Sequence, residues 1–295
     1  DEDLAETLDD CLIIADSYNE LRRIDALCAG RGIVRPVGLR VSPAIAYGPG
    51  LCPAVCPGLP DKFGEDEEEL PAYGDFLRGL KHARPAGIHI HVRSQVLSAE
   101  ALGACFEHAA RLARVWNRDL GLPLEFVNFG GGLGIPYVED APSLDLAALR
   151  GYLAGLLRTP PRDGDAPVRR YMESGRFLVG KAGIFATRIV DVKRSRGKTF
   201  VIAAGLLNHF LRPAIAGLLA ALPLERAYDG PCEPLWSGRG TVAPKAFGRP
   251  APARTVTVCG NLCTAMDTVA RDIVLENAVV GNVLVFENAG AYAAA

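Results

Sequence analysis

Short apolar runs alternate with amphipathic segments along the first two-thirds of the chain. The run at 11–15 (CLIIA) is wholly apolar with two adjacent isoleucines, which predicts a buried strand. Ser17 and Glu20 have capping-box spacing. Leu21, Ile24, Leu27 and Cys28 follow at helical intervals, with Gly30 as the expected stop. Further strands are predicted at 37–41, 87–92, 124–129 and 168–173. Ser98 reads as an N-cap, and apolar residues at 102, 105, 106, 109, 112, 113 and 116 form one helical stripe behind it. A helix is also expected over 144–157.

This alternation implies parallel βα units. Polar and glycine residues gather just after the strands, at Asp16, Arg40, Arg93–Gln95, Gly130–Gly132 and Glu173–Arg176. In a βα barrel that end builds the active site. A doubly wound open sheet fits the same pattern. From residue 184 the runs become β-branched (IFATRIVDVK, KTFVIAA, ARTVTVC, NVLVFEN), separated by the turns RSRG, GRG and GN. A mainly β domain over 184–295 is therefore expected after a βα domain over 1–183, with a short helix at 215–223. The stretches 48–66 and 158–167 read as loops.

Composition narrows the function classes. The chain has 295 residues, 49% hydrophobic and 22% charged, with a net charge of −2. That balance gives no electrostatic case for nucleic acid or an anionic membrane. No apolar run approaches the ~18 residues of a membrane span. The eight cysteines in a chain this long suggest reduced, cytoplasmic thiols rather than a disulfide scaffold. The pairs Cys52/Cys56 and Cys259/Cys263 have metal-like spacing but no matching second pair, so no zinc site is expected.

Several segments carry candidate chemistry. The triplet in FGGGLGIPY (129–137) follows a strand, where it serves either as a phosphate cradle or as a tight turn needing positive φ. ESGR (173–176) places a carboxylate near a guanidinium, either for one ligand or as a surface ion pair. His89 and His91 lie two apart on a strand and so point to the same side of it. One would stack on a planar ligand, or both are core residues. Cys263 and Tyr292, in CGNLCTAMD and ENAGAY, are a protic group and a phosphate donor, or a small buried side chain and a packing ring.

Taken in order, these segments resemble the diaminopimelate, ornithine and arginine decarboxylases, which join a (β/α)8 barrel of the alanine-racemase type to a β domain. G-I-H-I-H-V-R-S-Q is similar to that family's histidine-glycine-serine strand, NFGGGLG to its glycine-rich loop and ESGR to its E-P-G-R motif. FVIAAGLLNHFLRPA resembles the segment that opens the β domain, and C-x-x-x-D with GAY resembles the closing motifs. The match runs from about Cys11 to Tyr292. The resemblance implies pyridoxal 5'-phosphate as cofactor and decarboxylation of an amino acid or an amino-acid-derived intermediate. His91 would stack on the ring and Glu173 would pair with its nitrogen. Ser94, Gly130, Gly131, Gly132, Gly175, Arg176 and Tyr292 would surround the phosphate. Cys263 would reprotonate the product carbon, while Arg212 and Asp267 would face the substrate. Cys263 and Asp267 would come from the neighbouring subunit, implying a homodimer.

Departures refine this picture. Arg93 stands where the family has glycine, and Ser174 where it has proline. CTAMD lacks the glutamate that follows the cysteine in diaminopimelate decarboxylases, and RPAIA lacks their tyrosine. Both losses argue against diaminopimelate and towards relatives of siderophore or antibiotic pathways. A racemase of the same fold, diaminopimelate decarboxylation and a non-catalytic binding role remain the alternatives. The family's cofactor lysine sits in a Y-A-x-K-A-N context, which none of the six lysines here shares. The expectation is a chain that begins after the first barrel strands and ends before the usual C-terminal tail.

Overall fold

The computed structural model describes residues 11–45, 62–137, 142–158, 168–211 and 243–293. Arg212, Cys52, Cys56, the helix expected at 215–223 and most of both expected loops lie outside them. The chain divides into two compact units, with Gly134–Ser143 and Gly175–Ala295 in the second.

The first unit contains β1 (Ile13–Ala15), α1 (Tyr18–Arg31), β2 (Arg35–Ser42), β3 (Glu65–Asp66), α2 (Gly74–Gly79), β4 (Ala83–His89), α3 (Ala99–Arg114), β5 (Phe126–Asn128), α4 (Leu146–Arg158) and β6 (Arg169–Tyr171). Its sheet has the order β1-β2-β4-β5-β6, with β3 also pairing β2. Every pairing in it is parallel. Strand order thus advances in one direction, as in a barrel wall, whereas a doubly wound sheet reverses at a switch point.

Local chemistry explains the elements. Ser17 Oγ accepts the Glu20 N–H at 3.1 Å and caps α1. Glu20 Oε2 reaches back to the Asp16 N–H at 2.6 Å. The helix runs through Gly30 and stops at Gly32, at φ 65, whose N–H closes on Ala29 and Cys28. Only the second glycine is needed in the left-handed region, which is why Gly30 does not end the helix. Tyr18, Leu21, Ile24 and Cys28 of α1 pack with Val37, Leu39 and Ile88 of the sheet and with Leu112, Ala113 and Trp116. At the end of α3 the stripe loosens into a π-helical turn over Val115–Asp119, where Trp116 Nε1 donates to the Pro123 carbonyl at 3.1 Å.

The second unit holds α5 (Gly175–Val179), β7 (Phe185–Ser195), β8 (Lys198–Ala203), β9 (Lys245–Phe247), β10 (Arg254–Cys259), β11 (Thr268–Leu275) and β12 (Val283–Phe286). They form one mixed sheet in the order β11-β10-β8-β7-β12-β9, with β10 parallel to β8. Ile189, Val201, Phe210, Val256, Val258, Leu284 and Phe286 fill its core. Phe185 and Phe210 stack at 4.6 Å.

Asp25 fastens α1 to the start of β4. Its Oδ1 accepts the N–H groups of Lys81, His82 and Ala83 at 3.1, 2.6 and 2.8 Å. Asp25→Ala is expected to destabilise the fold by about 1–3 kcal/mol. The measurement is the denaturant midpoint at unchanged slope, and a midpoint equal to wild type would remove this role.

Candidate active site

In the first unit the strand ends bring together His89, His91, Asn128, the glycine triplet and Glu173. Backbone geometry does most of this. The Glu173 N–H donates to the Gly130 carbonyl at 2.8 Å. A Cβ on Gly131 would lie 2.0 Å from the Glu173 carbonyl oxygen, and one on Gly132 would lie 2.0 Å from that of Arg93. A Cβ on Gly130 would lie 2.4 Å from the Ile90 carbonyl oxygen. Gly130 and Gly132 also have φ of +66 and +98. The triplet therefore allows three main-chain segments to pass closer than any side chain permits.

Two triplet amides are engaged within the unit. The Gly130 N–H donates to Asn128 Oδ1 at 2.9 Å, and the Gly131 N–H to His91 Nδ1 at 3.2 Å. Asn128 Nδ2 donates in turn to Glu173 Oε1 at 2.8 Å. Asn128 thus reads the loop with its oxygen and the carboxylate with its nitrogen. The sequence gives it no visible role, because its partner Glu173 lies 45 residues further along the chain. Ser94 is buried beside this loop, and the Val96 N–H donates to the Gly132 carbonyl at 2.8 Å.

The electrostatics keep both histidines neutral. His91 lies beyond the end of β4, and its Nδ1 is an acceptor, so the ring proton sits on Nε2. Burial, then the Arg40 charge, lowers its pKa below the ordinary histidine value. His89 is 7% exposed, and its Nε2 lies 3.4 Å from Glu173 Oε1. Burial pushes its pKa down to about 4, against the pull of the Glu173 carboxylate. Arg40 is turned to Asp16, with Nη1 at 3.2 Å from Oδ1. Glu173 keeps about half of its side chain exposed (52%).

In the second unit Arg176 is buried on α5, and its Nη1 donates to Tyr137 Oη. Its guanidinium lies 4.3 Å from the Tyr292 ring centroid and 5.7 Å from that of Tyr137. Tyr292 is carried there by Gly290, whose Cβ would lie 1.7 Å from the Val179 carbonyl oxygen. The Gly290 and Ala289 N–H groups donate to Gly180 and Gly183 at 3.0 and 2.8 Å. Tyr137, in GIPY, was not singled out from the sequence, and its place beside ESGR becomes visible only in the fold. Gly175 opens α5 with open space around it.

Cys263 is exposed on the loop between β10 and β11. Asp267 is 1% exposed, and its carboxylate accepts main-chain N–H groups of its own unit. Among the described residues no group of three or more His, Cys, Asp or Glu could hold a metal ion.

His89 gives a pH dependence. Its folded pKa lies below the ordinary 6.5, so between about pH 4 and 6.5 the unfolded chain binds the extra proton. The stability from a neutral His89 is complete above about pH 6.5 and lost as pH falls towards 4. His89→Asn is expected to flatten the stability profile in that window, measured by melting at pH 7 and pH 4.5. An unchanged profile would mean that His89 is not the group responsible.

Comparison with known proteins places these motifs in one family. Residues 5–180 match the pyridoxal-binding domain of the pyridoxal-dependent decarboxylases. The chain is 28% identical over 283 residues to the L-glutamyl-[BtrI acyl-carrier protein] decarboxylase of Niallia circulans, covering 95% of this chain and 62% of that protein. It is 31% identical over 299 residues to the diaminopimelate decarboxylase of Methanothermobacter thermautotrophicus, covering 99% and 63%. The crystal structure of the Helicobacter pylori diaminopimelate decarboxylase with L-lysine superposes with a TM-score of 0.73 at 25% identity, covering 96% of this chain and 63% of that one. An Aquifex aeolicus structure, AQ1208, has the same fold with a TM-score of 0.74 at 22% identity, covering 99% and 62%. The chain therefore spans less than two-thirds of these relatives' length. Its parallel sheet and its mixed sheet correspond to their α/β barrel and β domain, and the chain belongs to the pyridoxal-dependent decarboxylases.

Proposed function

We propose that this protein uses pyridoxal 5'-phosphate to remove the α-carboxylate of an amino acid or of an amino-acid-derived intermediate. The observation that carries this reading is the linked set His91–Gly131 and Glu173–Asn128–Gly130 at the strand ends. These residues fit the cofactor's chemistry. A neutral imidazole suits the face of a cationic ring, and a half-exposed carboxylate suits a ring N–H. In the second unit a buried guanidinium flanked by two tyrosines suits a phosphate.

When bound, pyridoxal phosphate supplies an electron-accepting ring for the pair released as the carboxylate departs. The residues of this chain set the conditions for that. Glu173, held by Asn128, would keep a proton on the ring nitrogen. His91 would cover the ring face, its orientation fixed by the Gly131 N–H. Ser94, Gly130, Gly131, Gly132, Gly175, Arg176 and Tyr292 would hold the phosphate, and Arg212 a substrate carboxylate. Cys263 would deliver the proton that replaces the lost carboxylate. We assign the protein to a homodimer in a reducing, cytoplasmic compartment. Cys11, Cys259 and Cys263 are free thiols, which favours such a compartment. No helix among the described residues is long and apolar enough to cross a membrane.

Substrate choice follows from the loop after Cys263. Thr264 is exposed there, where diaminopimelate decarboxylases resemble one another in carrying glutamate. A neutral hydroxyl offers no countercharge to a distal ammonium, so substrates ending in an amide, ester or carboxylate are favoured. Relatives acting on carrier-bound glutamate and on 2-[(L-alanin-3-ylcarbamoyl)methyl]-2-hydroxybutanedioate fit that class.

The test is carbon dioxide release by the full-length protein from a panel holding meso-diaminopimelate, ornithine, arginine and γ-substituted glutamates. Release from the last class at the highest rate is expected. Preference for meso-diaminopimelate would reassign the substrate, and inversion without release would make the protein a racemase. Glu173→Ala is expected to lower turnover by about 10²–10³-fold while cofactor still binds. Unchanged turnover would end the ring-nitrogen assignment.

A further inference from the structure

Among the described residues of the second unit, Asp267 is the buried carboxylate, at 1% exposure. Charge in such a place is costly unless its lone pairs are satisfied. Here Oδ1 accepts the Leu207 N–H at 2.9 Å and Oδ2 accepts the Leu262 N–H at 3.0 Å. The two donors belong to different segments. Leu262 precedes Cys263 on the β10–β11 loop, and Leu207 follows β8 on the stretch that leads to Arg212.

The loop is folded tightly around this carboxylate. The Gly260 N–H donates to the Asp267 carbonyl at 2.9 Å, and the Asp267 N–H to the Thr264 carbonyl at 3.3 Å. A Cβ on Gly260 would lie 2.1 Å from Asp267 Oδ2, so glycine is required for the carboxylate to sit where it does. Cys263 is exposed on the same loop, as are its neighbours Leu262 and Met266. A side chain with 1% exposure is not placed to meet a substrate.

We infer that Asp267 is a positioning residue, which fixes the Cys263 thiol by clamping the main chain at Leu262 to that at Leu207. This rests on the reading that Cys263 supplies the product proton. The clamp is electrostatic and specific. An asparagine amide has the same shape, but its NH2 would face one of the two N–H donors, so one anchor is lost.

The experiment compares wild type, Asp267→Asn, Cys263→Ala and the double variant in the full-length protein loaded with pyridoxal phosphate. The substrate is the panel compound that releases carbon dioxide fastest. Asp267→Asn is expected to lower kcat by about tenfold with KM unchanged. In the Cys263→Ala background its further effect is expected to fall below about twofold, because the residue acts through that thiol. Equal losses in both backgrounds would overturn the inference, since general damage to the fold is additive.

Iodoacetamide labelling, read by peptide mass spectrometry, tests the anchor without turnover. Cys263 is expected to react roughly threefold faster in Asp267→Asn, with exposed Cys11 unchanged. An unchanged Cys263 rate in the folded variant would overturn the clamp. If no panel compound releases carbon dioxide, the functional reading fails while labelling still decides the clamp. Gly260→Ala, whose new methyl falls on the same carboxylate, is the second variant should Asp267→Asn not fold, and the same labelling outcomes apply to it.

Discussion

The first unit's chemistry depends on how closely the glycine triplet passes the strand ends beside it. At Gly131 the separation leaves no room for a Cβ, because the Glu173 carbonyl oxygen would stand 2.0 Å from it. Any side chain there would have to push the Glu173 main chain away. The consequence is a shared frame. Gly130 binds the Glu173 N–H through its carbonyl and Asn128 through its N–H, and Asn128 holds the Glu173 carboxylate. The same loop supplies the N–H that orients His91. A carboxylate and a neutral imidazole are thus placed by main-chain geometry, with little left to side-chain rotamer freedom.

The second unit solves a similar problem by other means. Gly290 lets the segment before Tyr292 lie against the end of α5, which sets the tyrosine ring against the Arg176 guanidinium. The buried carboxylate of Asp267 pins the loop that exposes Cys263. In both units, glycines permit the close approach and a polar side chain then locks it.

Much of this was legible in the sequence. Ser17, the stripe from Leu102 to Trp116 and the β-branched runs after residue 184 announce their elements, because local periodicity and capping decide them. The strand at β11 was missed because Arg271 and Asp272 interrupt its apolar pattern, and Asp272 takes a positive φ of 52. The β10–β11 register shifts nearby, between Val256 and Val258. Such a bulge is set by the partner strand, which periodicity cannot see. Asn128 and Tyr137 were missed for a related reason. Their partners, Glu173 and Arg176, are far along the chain, so only tertiary contact shows what they do. Asp267 was visible as a motif residue, but whether its carboxylate faces substrate or main chain depends on Leu207, which lies 60 residues away.

The proposed reaction depends on this protein holding pyridoxal phosphate. Absorbance titration of the full-length protein with pyridoxal phosphate, followed by borohydride reduction and intact mass, tests it most directly. The account predicts a saturable visible band, weaker with phosphate-free pyridoxal, and a stable covalent adduct after reduction. No saturable band and no adduct would contradict it.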